Sequence, residues 1–181
     1  MTPAADQPEV WLRGKIDGVS NALMPVVHAL LQARRELRPM QEHVSIEECR
    51  ISPGGAATIG FHLAHIVGSL DRLFCYAHGT QLSAAQLAYL RDESRFGVER
   101  SPEALFEAAV GQIDACVEQL RTTAETSLLE ARAVGRDRLP STVMGLVFHA
   151  AEHTTMHVGQ IRTTLKIIRG VASAAPVGNA R

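Results

Sequence analysis

The sequence lacks any apolar run approaching the roughly 20 residues that a membrane span requires. Its first ten residues, MTPAADQPEV, carry neither a basic head nor the apolar core of a secretion signal. These absences lead us to expect a cytoplasmic protein with no membrane partner. A basic excess is missing too: 18 Lys and Arg stand against 19 Asp and Glu, a formal net charge of -1. That balance gives little grip on phosphate backbones and argues against a nucleic-acid partner. The three cysteines, Cys49, Cys75 and Cys116, are odd in number and show no C-x-x-C spacing, so they suggest neither a disulfide framework nor a thiolate zinc cluster. No internal repeat and no period-two strand pattern is visible.

What is there is helical periodicity. At 181 residues the chain suits one domain with a substantial core, which we bound at 15–170 between a flexible N-terminus (1–14) and a flexible tail (171–181). Val19, Leu23, Val26, Val27, Leu30 and Leu31 recur at three- and four-residue spacing and predict a helix over about 16–37. Pro25 should kink it, unless the helix starts there. After the punctuation of Ser-Pro-Gly-Gly at 52–55, residues 56–76 run almost free of charge until Asp71 and Arg72, the pattern of a buried second helix. The stretch 83–95 is amphipathic and reads as a short extra helix. Ser101-Pro102-Glu103 gives an N-cap, a proline at the first helical position and an acidic first turn, opening a third main helix to about Glu125. Residues 126–140 make one long connection, and Ser141 or Thr142 caps a fourth helix to about Arg169. The expected fold is all-α: a four-helix bundle with an extra short helix between the second and third main helices.

Histidine is the unusual component. Five of the eight lie in two short stretches, FHLAH and FHAAEHTTMH. In a bundle, inward imidazoles on facing helices can build a metal site, and two on one helix can share a face at i, i+4. His149, His153 and His157 form two such pairs. At about 100° per residue the stripe Leu146, Val147, Ala150, Val158, Ile161, Leu165 and Ile168 contains His157, with His153 about 80° from its centre and His149 about 120° away. The inward pair is therefore His153 and His157, and His149 is an outer residue. The same stretch also reads H-x-x-E-H, an inverted zinc-protease motif, but that reading needs Glu152 to face the metal and the stripe points it away. A third ligand should come from the second helix, from His62 or His65. That helix is apolar nearly all round, so its stripe does not choose, and taken literally it slightly favours His62. His28, His43 and His78 read as surface or satisfied residues.

His153-Thr-Thr-Met-His157-Val-Gly159-Gln160-Ile161, with IGFHLAHI upstream, resembles the H-x-x-x-H-x-G-Q-I motif of the DinB/YfiT-like superfamily of four-helix metalloproteins. The likeness covers the second helix and about 134–166, including VGRDRLPST. The insert at 83–95 departs from the shortest members. The resemblance implies a divalent transition metal, zinc or nickel first with iron or manganese as alternatives, held by His65, His153 and His157. His62 is a candidate fourth ligand. Gln160, one turn after His157, is a candidate hydrogen-bonding partner behind the ligands. Three neutral imidazoles leave an open position on the ion, the arrangement of catalytic sites. Relatives in this superfamily look like transferases or isomerases that use a low-molecular-weight thiol such as bacillithiol or mycothiol. The expectation is a metal-dependent enzyme of thiol S-transferase type, or one using metal-activated water, on a small-molecule substrate. The alternatives are a non-catalytic metal-binding stress-response protein and a metal-dependent hydrolase. The resemblance also implies a homodimer.

Overall fold

A computed structural model describes residues 7–174, with side chains as far as residue 170. Four long helices form the bundle: α1 (Met24–Gln41), α3 (Ile59–Ala77), α5 (Pro102–Thr122) and α6 (Val143–Ala174). Two further helices are α2 (Ile46–Arg50) and α4 (Ala84–Glu99). The main helices pack α1 on α5 and α6, and α3 on the same two, so α1 and α3 occupy opposite corners. Helix α4 lies outside this square, against α3. Among the described residues no helix is long and apolar enough to cross a membrane.

Each helix begins where its sequence supplies a start. Pro25 does not kink α1; it occupies the first turn, where a missing N–H has no intrahelical acceptor to disappoint. Residues 16–23, expected inside the helix, instead hold a 3₁₀ turn at Asn21–Leu23. Thr58 caps α3 by accepting from the Phe61 N–H at 3.0 Å. Ser83 and Gln86 cap α4 reciprocally, as do Ser45 and Glu48 at the short α2, which the sequence did not announce. The extra helix is longer than expected, 16 residues in place of a stretch ending at 95. Ser101 caps α5, and Thr142 rather than Ser141 caps α6, accepting from Gly145 N–H at 3.0 Å.

The expected long connection at 126–140 contains a small antiparallel hairpin, β1 (Ala131–Val134) with β2 (Leu139–Thr142), in the register Ala131↔Thr142 to Val134↔Leu139. Strands of four residues are too short to show an alternation, and Pro140 on β2 removes one of the few ladder donors. The turn between them needs left-handed backbone at Gly135 (φ 70°) and at Arg138 (φ 49°).

Residues 1–6 and 175–181 lie outside the described residues, and with them much of the two ends (1–14 and 171–181) expected to be flexible. Val10–Arg13 form a 3₁₀ turn with Val10 buried, and the Val10 N–H donates to Gln32 Oε1 on α1 at 3.1 Å. At the other end α6 continues five residues past the expected Arg169, to Ala174.

The core holds Leu30 and Leu37 from α1, Leu63 and Leu70 from α3, Phe106 and Ile113 from α5, and Leu146 and Ile161 from α6. Fully burying such a side chain contributes roughly 1.5–3 kcal/mol. Helix α3 meets α4, α5 and α6 at once, which is why its sequence is apolar on almost every face.

Candidate metal centre

Helices α3 and α6 cross where their histidines sit. His62 and His65, three residues apart on α3, face His153 and His157, four apart on α6, as stacked positions of a helix do. His65 Nε2 lies 3.0 Å from His153 Nε2, and His153 Nε2 lies 3.1 Å from His157 Nε2. The ring centroids of His65 and His157 are 4.7 Å apart. One ligand nitrogen from each of these three residues falls within 4.8 Å of the other two. The remaining nitrogens of His65 and His157 meet separate partners. His65 Nδ1 lies 2.7 Å from Glu93 Oε2, and His157 Nδ1 lies 2.9 Å from His62 Nδ1.

The neighbourhood favours neutral rings. Burial is the first cause of a lowered pKa at His157, which falls to about 3, with His153, His65 and His62 adding to the effect. Burial likewise lowers His153 and His62. Neutral imidazole is the form that can donate a lone pair to an ion. His157 is only 6% exposed, inside the apolar stripe of α6. The His65 side chain is 20% exposed and His153 is half-buried, so the cluster has one face toward solvent. The Phe61 ring stacks on His65, centroids 5.4 Å apart and 17° from parallel.

The structure sorts the other residues singled out in the sequence. His62 is buried but outside the mutually close group; its ring backs His157 from the far side. Gln160 is exposed, and its side chain reaches His157, where it favours the protonated ring against the larger effect of burial. His149 and Glu152 are both exposed and bond each other at 2.6 Å, so the glutamate of H-x-x-E-H is turned away from the cluster. His28 bonds Gly14 O, His78 bonds Phe74 O, and His43 is exposed.

Glu93 is the residue that sequence reasoning missed. It comes from α4, is 4% exposed, and pairs with Arg72 Nη1 at 2.6 Å while its other oxygen meets His65. A signal was available: Tyr89, Glu93 and Phe96 fall on one face of the inserted helix at four- and three-residue spacing, and Arg72 is a lone cation on an apolar helix.

Four long helices with imidazoles from two of them converging on one point make this a helical-bundle protein whose three-histidine group could hold a metal ion. The family model of the DinB superfamily matches residues 29–161, a span that contains every histidine of the cluster, and the chain belongs to that superfamily. A search of curated proteins found no significant match.

Proposed function

We propose that His65, His153 and His157 hold a divalent transition ion, zinc or nickel first, and that the chain is a metal-dependent enzyme acting with a low-molecular-weight thiol. The observation that carries this reading is the convergence of three Nε2 atoms at 3.0 and 3.1 Å along its two closest edges. Around a tetrahedral ion with bonds of about 2.0–2.1 Å, neighbouring donors stand roughly 3.3–3.4 Å apart. The nitrogens are thus within a few tenths of an ångström of that spacing. Three lone pairs aimed at one point repel unless a ring N–H proton or a cation lies between them, and the Glu93 carboxylate 2.7 Å from His65 Nδ1 favours that ring's proton on its outer nitrogen.

When bound, such an ion supplies Lewis acidity that makes a thiol or a water nucleophilic near neutral pH. The chain's own residues do the rest. His65 and His153 leave the solvent-facing side open to a small molecule, whereas His157 anchors the group to the core. Cys49 and Cys116 are buried, and burial pushes their thiols up to about 11 and about 12, which makes these two poor nucleophiles. Imidazole nitrogen suits zinc, nickel, iron or copper, so elemental content decides the ion.

Metal-loaded protein should consume bacillithiol, mycothiol or another small thiol in the presence of an electrophilic acceptor, and stop when the ion is chelated. A screen with generic esters and amides tests the alternative of activated water. The burial of His157 favours a second reading, a non-catalytic protein whose ion ties α3 to α6. That reading predicts a large fall in melting temperature on chelation and no turnover with any thiol, whereas catalysis predicts lost turnover with the fold retained. On the family likeness we extend the proposal to a cytoplasmic homodimer acting on a small molecule, with sedimentation as the check on its mass.

A further inference from the structure

Glu93 has two oxygens and uses both. Oε1 pairs with Arg72 Nη1 at 2.6 Å and Oε2 meets His65 Nδ1 at 2.7 Å. A carboxylate buried to this degree is uncommon unless paired, and Arg72 alone would satisfy that need. The second contact is directed at the one nitrogen of His65 that does not face His153. Since a neutral imidazole carries a single proton, a proton held on Nδ1 by the carboxylate leaves Nε2 with its lone pair toward the cluster.

Helix α4 is packed closely on α3 on either side of this contact. Gly60 on α3 and Gly97 on α4 touch backbone to backbone, and a Cβ on Gly97 would fall 2.5 Å from Gly60 C and from Phe61 N. Tyr89 OH donates to Ala64 O at 3.1 Å. Gly68, one turn after His65, leaves the space that Glu93 and Arg72 fill; a methyl group there would meet Glu93 Oε1, Arg72 Nη1 and Tyr89 Cε1. Phe61, stacked on His65, restrains the ring's plane.

We propose that Glu93, carried on a helix outside the four-helix core, is a positioning residue for the metal centre: it accepts the Nδ1 proton of His65 and so fixes the tautomer and orientation in which Nε2 can ligate. This rests on the reading of His65 as a ligand. Arg72 offsets much of the carboxylate's charge, so the effect is on the ring's proton and direction more than on the net charge at the ion. A carboxylate behind a ligating histidine is a recurrent device, and its loss costs about 10–100-fold in metal affinity.

The test is Zn²⁺ affinity by chelator competition in the parent, Glu93→Ala, Glu93→Gln, Tyr89→Phe and His153→Ala proteins, with Co²⁺ visible absorption as the spectroscopic readout. Glu93→Ala should weaken Zn²⁺ binding by about 100-fold and shift the Co²⁺ bands. Glu93→Gln, whose amide oxygen can still accept, should lose about 10-fold. Tyr89→Phe loosens the same helix without touching His65; it should lower the melting temperature while leaving Zn²⁺ affinity and the Co²⁺ spectrum as in the parent. If the alanine variant does not fold, the glutamine variant decides. Parent-like Zn²⁺ affinity in the folded Glu93 variants, beside lost affinity in His153→Ala, overturns the role of Glu93 and leaves the ligand set standing. Parent-like affinity in His153→Ala, or a parent that binds no Zn²⁺, overturns the ligand set and this proposal with it.

Discussion

His157 presents its two ring nitrogens to two different partners: Nε2 to His153 at 3.1 Å and Nδ1 to His62 at 2.9 Å. If Nε2 is to offer a lone pair to an ion, the proton must sit on Nδ1 and be donated to His62 Nδ1, which places the remaining proton of His62 on its own Nε2. His62 thereby does for His157 what Glu93 does for His65. On the proposed ligand set it stands behind a ligand instead of beside it.

We therefore expect His62→Ala to keep the parent's metal stoichiometry while its affinity falls about 10-fold or more. Isothermal titration with Zn²⁺ separates the two quantities. Loss of most of the bound metal, as expected of the His65, His153 and His157 variants, would return His62 to the ligand set, where the sequence had left it as a candidate fourth member.

Acid should weaken the metal-free protein. The unfolded His157 ring titrates near 6.5 and the folded one near 3, so between these values the unfolded chain binds more protons and stability rises with pH. The contribution is complete above about 6.5 and disappears as pH falls toward 3. His62 and His153, also lowered by burial, act in the same direction. Glu48, held low by its hydrogen bond with Arg169, joins only below the usual carboxylate range. The urea midpoint should drop between pH 7.5 and pH 5, and His157→Leu should flatten that dependence. A midpoint that rises toward pH 5 would contradict the burial of a neutral ring.

The close approach of α3 and α4 leaves no room for a methyl group at Gly97, where the obstruction is the backbone of Gly60 and Phe61. Overpacking typically costs about 1–3 kcal/mol when side chains can shift; here they cannot, so Gly97→Ala should cost about 3 kcal/mol in urea denaturation. Gly68→Ala meets the ends of Glu93 and Arg72 instead. It should cost less stability and lower Zn²⁺ affinity by displacing the carboxylate from His65. Parent-like behaviour of both variants would mean that α4 docks more loosely than its contacts indicate.

Thiol accessibility offers an independent check on the core. Cys49 and Cys116 are buried and Cys75 is half-buried, bonded to Thr80 at the end of α3. Ellman's reagent should find one reactive thiol per native chain and three in urea. Three fast thiols in the native state would show that the core around α2 and α5 is open.

Much of the centre was legible in the sequence, and particular residues show why. The stripe of α6 is long and interrupted by polar residues, so a rotation of 100° per residue put His157 inside it, His153 at its edge and Glu152 outside, as the structure has them. On α3 the same device failed. Helices α4, α5 and α6 pack on it beside the short α2, no polar face remains to orient the wheel, and only the family likeness pointed to His65 over His62. Glu93 was hidden for another reason: a carboxylate on an amphipathic helix reads as solvated until its partners are known, and Arg72 and His65 lie 21 and 28 residues away. The hairpin was hidden by the shortness of its strands, and the start of α1 by an apolar pattern that continued upstream of Pro25 into non-helical chain.

Metal content per chain tests the central claim most directly, measured on native protein beside His65→Ala, His153→Ala, His157→Ala and His149→Ala. We expect one transition ion in the parent and in the His149 variant, and a loss of most of it in each of the other three. Parent-level metal in the His65 and His153 variants would contradict the account.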